Sequence, residues 1–208
     1  MRRPSGVSAI VLAAGSGSRF GGRKLLAKLG VQPIIESVLD NLRDAPVDEV
    51  IVVVGADAER LREVCERYGV RTVANEEWER GQSTSVRAGL RACGGEAAVI
   101  LLGDQPFVGA DAVKRLVAAF AEGANVAVAT YGGKRRNPVL FSREVWPLLE
   151  AELAGDEGAR PVLRRHPDLV VDVPCEGVGD PTDVDTREDL RRLEEMRGPV
   201  GDYKMAEG

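Results

Sequence analysis

Four short stretches of this 208-residue chain hold residue types that can do chemistry together. The first is LAAGSGSRFGGRKLL, residues 12–26, directly after an apolar run. Glycines let successive backbone N–H groups turn toward one anion. Arg19 and Lys24 add full positive charges, and Lys24 is one of only 5 lysines against 23 arginines. The loop suits a polyphosphate; a plain turn with solvated bases is the bland alternative. Two known phosphate-loop spacings fail here. The dinucleotide pattern G-x-G-x-x-G runs Gly15, Gly17 and then meets Phe20, and the P-loop pattern from Gly17 and Gly22 meets Arg23 where it needs lysine.

The second stretch, LLGDQPFV (101–108), ends an apolar run in Gly103–Asp104. A carboxylate beside a triphosphate repels it unless a cation intervenes. Mg²⁺ takes oxygen ligands, one or two carboxylates plus phosphates, so Asp104 is the first expected metal ligand. The third, GDPTDVDTREDL (179–190), holds Asp180, Asp183 and Asp185. Such acids also favour a helix N-terminus, and Thr186 with Asp189 suits a capping box. The fourth, GQSTSVRAGL (81–90), combines Gln82, Ser83, Thr84 and Ser85 with a helix start. Ser83 is read as that helix's N-cap, and the same amide and hydroxyls suit the edge of a pyrimidine. KRRNPVLF (134–141) and GDEGAR (155–160) add Arg135, Arg136 and Arg160, which can pair with a phosphate bidentately or form a solvated face.

Elements that must position these residues follow from periodicity. Apolar runs at 8–13, 49–54, 70–74, 97–102, 125–130 and 169–173 read as strands covered on both faces. Helical spacing recurs at 33–43, 58–68, 84–92, 111–122, 143–153, 159–165 and 187–196, with Pro33 expected in a first helical turn. Alternation of the two predicts a Rossmann-like, three-layer α/β fold: a mainly parallel sheet with helices on both faces. Gly132–Gly133 marks a turn and 138–141 a short antiparallel strand. Residues 131–185 are read as a C-terminal excursion over the carboxyl edge, where such sheets bind ligands. Residues 1–197 are expected to form one domain, and 198–208 a flexible tail.

Composition excludes other classes. Net charge is -5, so a broad nucleic-acid face is not expected. The three cysteines, Cys65, Cys93 and Cys175, are far apart and form no CxxC pair, which points away from a zinc site and toward a reducing, cytoplasmic setting. One histidine, His166, leaves little room for a His-based nucleophile. The basic then apolar start is read as a strand rather than a targeting segment, and no run approaches the ~18 apolar residues that span a bilayer.

The loop LAAG-S-G-S-R-F-G-x-x-K-L-L resembles the signature loop of the nucleotidyltransferases that activate sugars, alcohols and pterins. Its K-L-L ending is similar to the molybdopterin cytidylyltransferases. GDQP, D-V-D-T-x-E-D-L, S-V-x-x-G-L and GDEGAR resemble further motifs of that group, over roughly residues 7–193. The resemblance implies transfer of CMP from CTP to a phosphorylated acceptor, molybdopterin, with release of pyrophosphate. It implies Mg²⁺ on Asp104 and Asp185, with Asp183 a weaker candidate. It implies catalytic roles for Lys24, Arg19 and Asp104. Nucleotide binding falls to Leu12, Ala13, Ala14, Gly15, Ser16, Gly17, Ser18, Arg19, Lys24, Asn75, Gln82, Ser83 and Ser85. Acceptor contacts fall to Gln105, Pro106, Asn137, Pro138, Asp156 and Arg160. Asn137 stands where related enzymes often carry histidine, which opens the acceptor's identity. A molybdoenzyme or its maturation factor is the implied transient protein partner. GTP, another acceptor, an NAD(P)H-linked oxidoreductase and a nucleotide-binding regulator are the competing readings.

Overall fold

The computed structural model describes residues 6–197; the tail expected at 198–208 lies outside the described residues. Strand β1 (Val7–Ala13) is buried throughout its length. It runs parallel to β4 (Glu49–Val54) on one side and to β6 (Ala97–Leu102) on the other, with Ile10 beside both Ile51 and Ile100. Strand β5 (Arg71–Ala74) extends the sheet in parallel beyond β4.

The chain then turns through Gly132 and Gly133, at φ of 57° and 70°. Two consecutive left-handed residues match the twist of a tight hairpin. Strand β7 (Val126–Tyr131) therefore folds back as β8 (Lys134–Ser142). Strand β8 is antiparallel to both β7 and β6, and β9 (Val170–Pro174) pairs in parallel with β7. The order β5-β4-β1-β6-β8-β7-β9 thus contains one reversed strand. Within residues 131–185, β8 and β9 join the sheet itself. Residues 178–184 run along its carboxyl edge, where Asp180 N donates to Phe107 O and Val184 N to Asp104 O.

Side chains alternate between two cores, as strands buried on both faces require. Val7, Ala9, Val11 and Ala13 pack against α1 (Ile34–Asn41), α2 (Ala58–Arg67) and α4 (Ala110–Ala121), with Leu193 of α7 (Arg187–Arg197). Ile10, Leu12 and Ala14 pack against α3 (Gln82–Ala92), α5 (Trp146–Glu152) and α6 (Arg160–Arg165). Each fully buried Ile, Leu or Phe, such as Ile10, Leu116 and Phe141, contributes roughly 1.5–3 kcal/mol by leaving water.

Two local expectations shift. Pro33 closes a small antiparallel ribbon, β2 (Lys28–Leu29) with β3 (Gln32–Pro33), and precedes α1 instead of entering it. Helix α3 begins at Gln82 behind Gly81, so Ser83 lies inside the helix, 2% exposed, and does not cap it.

Candidate active site

The glycine loop leaves β1 at the point where strand order reverses, between β1 and β6. A crevice opens there at the carboxyl ends of the strands. Gly17 O accepts from Phe20 N at 2.9 Å and Gly22 N at 3.0 Å, which tightens the loop into one turn. Buried Phe20 anchors it. Gly17 has φ of 61°, and a Cβ there would stand 2.8 Å from Lys24 Cβ. Only glycine lets Lys24 come this close and turn its side chain inward.

The loop, β6 and α3 enclose a cavity of about 350 Å³. Leu12, Ala13, Ala14, Gly15, Ser16, Gly17 and Lys24 line one wall, Gln82 and Ser85 another, and Asp104 the end of β6. Lys24 Nζ donates to Asp104 Oδ2 at 2.5 Å and lies 3.5 Å from Asp185 Oδ1. Arg19 reaches Asp185 Oδ2 at 3.0 Å while its side chain stays 76% exposed. Residues from three distant parts of the chain therefore meet as one alternating charge cluster.

That cluster also tests the fit of a metal. One ammonium touches both Asp104 and Asp185, so a single cation can reach both carboxylates. Among the described residues no group of three or more His, Cys, Asp or Glu completes such a site. Two carboxylates suit a hard divalent ion that takes its other oxygens from phosphates and water. Asp183 faces Gln105 instead, which donates to Asp183 Oδ1 at 2.7 Å. Desolvation on that side and then the charge of Asp104 raise its carboxyl above the usual range, although its outer side is exposed.

Asp185 is held in place by the start of α7. Thr186 N donates to Asp189 Oδ2 at 2.8 Å and Asp189 N donates to Thr186 Oγ1 at 3.1 Å, a reciprocal cap. The Thr186 hydroxyl bond, more than any other contact, lowers the Asp189 carboxyl.

Other expected residues divide by position. Asn75 is buried and donates to Thr84 Oγ1 at 2.8 Å and Ser85 Oγ at 2.9 Å, so it orients the wall rather than facing the cavity. Ser18 and Ser83 also lie outside the cavity lining. Gln105 is 4% exposed and also bonds Pro181 O at 2.9 Å, and buried Pro106 accepts from Asn41 through its carbonyl. Both face inward; Gln105 braces the acidic segment and Pro106 is tied to α1 through Asn41. Asn137 and Pro138 begin the buried part of β8, next to the end of β6. Arg135 is paired with Asp172 at 2.6 Å. Arg160 is exposed and makes no ion pair among the described residues.

Asp156, expected near the acceptor, lines the cavity beside Gln82. Its segment closes on the N-terminus of α3: a Cβ on Gly81 would meet Asp156 Oδ1 at 2.7 Å, and one on Gly158 would meet Gln82 Oε1 at 2.5 Å. Trp78 and Glu79 line the same wall and were not foreseen from the sequence. One of only two tryptophans, lying between Asn75 and Gln82, is the signal that marks this wall.

Comparisons with known proteins agree with this geometry. Residues 9–170 match the MobA-like NTP transferase domain. Nicotine blue oxidoreductase of Paenarthrobacter nicotinovorans is 31% identical over 199 residues, covering 90% of this chain and 96% of that protein. The crystal structure of a Mycobacterium tuberculosis Rv0371c homologue from Mycobacterium sp. strain JC1 aligns with a TM-score of 0.82 at 33% identity, covering 94% of this chain and 98% of the other. Rv0371c of Mycobacterium tuberculosis H37Rv, crystallised as a complex with manganese, aligns with a TM-score of 0.75 at 30% identity, over 91% and 98% of the two chains. With the loop, the acidic strand end and the reversed strand all in place, this chain belongs to the MobA-like NTP transferase family.

Proposed function

We propose that the protein transfers a nucleoside monophosphate, CMP from CTP, to a phosphorylated acceptor of the molybdopterin class and releases pyrophosphate. The observation that carries this reading is the cavity in which Lys24 and the glycine loop face Asp104, with Asp185 within 3.5 Å of the Lys24 ammonium. An acceptor phosphate oxygen forms a bond to the α-phosphorus, the bond to the β-phosphate oxygen breaks, and pyrophosphate departs. No protein nucleophile is required, so positioning and charge stabilisation do the work.

Lys24 and Arg19 are neutralised by the acids at the end of β6 and the entrance of α7. Nucleotide exchanges these partners. Lys24 leaves Asp104 and donates to the α-phosphate, where charge develops. Arg19, the more exposed cation, takes the β- and γ-phosphates. Asp104 and Asp185 would then hold Mg²⁺, which would neutralise phosphate charge. Gln82, Ser85 and Asp156 surround the space for the base.

The test is pyrophosphate release with each NTP, Mg²⁺ and molybdopterin, with the dinucleotide product identified by mass spectrometry. Product with CTP and none with the other nucleotides supports the reading; no product with any nucleotide ends it. A second reading, NAD(P)H-linked reduction of a heterocycle, is favoured by the full-length relative named Nicotine blue oxidoreductase. NADH oxidation with a pterin or heterocyclic dye and no NTP distinguishes it.

A further inference from the structure

The glycine loop has a second side. A larger concavity of about 770 Å³ lies across it from the nucleotide cavity, and Ser16 lines both. Arg23, Arg60 and Arg187 line this outer space. Among the described residues, none of the three makes an ion pair, whereas Lys24 on the inner side and the exposed Arg19 of the same loop are both paired with acids. Arg187 is held over the Phe20 ring at 4.9 Å, which fixes its stem without consuming its donors. Among the described residues, Asp57 is the only carboxylate lining this wall, and it makes no ion pair with any of them. Lys24 of the loop is thus neutralised on the inner side, whereas Arg23 of the loop, Arg60 of α2 and Arg187 of α7 are unneutralised on the outer one.

Backbone geometry makes the division. Arg23 is the non-glycine residue with a left-handed conformation among the described residues, at φ of 52°. L-residues adopt it at a cost that surrounding structure must offset. Here it sends consecutive side chains to opposite faces: Lys24 to the inner cavity and Arg23 to the outer one.

We propose that the outer concavity is a pyrophosphate site, the station through which the leaving group departs. Its role in turnover rests on the nucleotidyl-transfer reading; the site itself does not. Attacking and leaving oxygens lie roughly in line on opposite sides of the reacting phosphorus. With the β- and γ-phosphates held by the loop, pyrophosphate leaves on the loop side, away from the acceptor. Ser16 is where the inner wall becomes the outer one. Three guanidiniums beyond it offer paired N–H donors to a polyanionic product.

The experiment titrates inorganic pyrophosphate into the full chain by calorimetry, with Mg²⁺ present and the inner cavity saturated by a non-hydrolysable CTP analogue. The expected result is one pyrophosphate bound beside the nucleotide. Arg23→Gln, Arg60→Gln and Arg187→Gln should each weaken it by about tenfold, the loss of one charge-assisted contact. Affinity for the analogue should stay unchanged. Competition between analogue and pyrophosphate, equal binding to wild type and the triple variant, or equally tight binding of orthophosphate would each overturn the proposal. If the chain binds no nucleotide, the same titration without the analogue still decides the site through its dependence on the three arginines. Loss of nucleotidyl transfer with pyrophosphate binding intact would sink only the functional reading.

Discussion

Lys24 Nζ lies 2.5 Å from Asp104 Oδ2, across 80 residues of sequence, with its side chain 13% exposed. The cation proposed for the substrate's phosphate and the acid proposed for a metal are each other's partners in the structure. Removing the ammonium should therefore act in two directions. Lys24→Ala should lower turnover about 10²–10³-fold, the usual loss for one donor aimed at developing charge. Circular dichroism and thermal melts should show a retained fold, because the pair sits at a crevice and not in the core. Near-normal turnover by this variant would remove Lys24 from the mechanism.

The same pair couples metal to nucleotide. Asp104 and Asp185 are engaged by Lys24 and Arg19, so a divalent ion must displace those cations when it binds alone. Nucleotide draws the cations away and should raise metal affinity, and metal should raise nucleotide affinity by the same factor. Mn²⁺ binding followed by electron paramagnetic resonance checks this, with and without a CTP analogue. Lys24→Ala should bind Mn²⁺ more tightly than wild type when no nucleotide is present. Equal affinities in all cases would mean that the ion pairs do not compete with metal.

Asp156 offers a separate handle on base choice. Its carboxylate shares the cavity with Gln82 and Ser85 and makes no hydrogen bond or ion pair among the described residues. A carboxylate accepts from an exocyclic amino group and repels a carbonyl oxygen, which favours cytosine over uracil. Asp156→Asn should reduce the CTP-to-UTP ratio of kcat/KM by about tenfold, in line with one lost base contact. Initial rates with both nucleotides measure it, and an unchanged ratio would return Asp156 to the acceptor side.

The core strands and the four chemical stretches could be read from sequence for one physical reason. Strands buried on both faces must be continuously apolar, and chemistry at their carboxyl ends follows directly in the chain, as Gly15 follows β1 and Asp104 follows β6. The ribbon at 28–33 escaped because two-residue strands carry no period. Ser83 has the residue type of a cap, but packing places it inside α3, with Gly81 taking the turn at φ of 109°. Gln105 sits beside a catalytic candidate in sequence, yet its amide finds Asp183 from 78 residues away. Arg135 likewise finds Asp172, and Asp156 reaches the cavity only because its loop folds onto Gly81. Partners so distant leave no local pattern.

The cap beneath Asp185 gives a prediction on stability. Thr186→Ala removes both a donor to Asp189 and an acceptor for its amide, and should cost about 1 kcal/mol in urea unfolding. The pH dependence has a definite sign. Asp189 titrates below its usual range in the folded chain. Its contribution is therefore present above the unfolded carboxylate value near ~4 and is lost as pH falls through the lower folded value. Asp189→Asn should flatten the acid limb of the stability profile below about pH 4 relative to wild type. An identical limb would show that the cap does not carry it.

The three thiols should be silent in the native state. Cys65, Cys93 and Cys175 are free and buried. Burial pushes the Cys65 thiol up to about 11 and raises Cys175 as well. The thiolate is the reactive species, so at pH 8 the folded protein presents very little of it at Cys65, and packing blocks the reagent. Ellman's reagent should therefore report almost no thiol in buffer and all three in guanidinium. The rate of appearance at intermediate denaturant should follow opening of the α2 face, where Cys65 packs with Leu61 and Val64. Leu61→Ala, which leaves a cavity beside it, should speed labelling and lower stability by about 2–5 kcal/mol. Rapid labelling of the untreated wild type would contradict the packing of that face and, with it, the anchoring of α2 on the sheet.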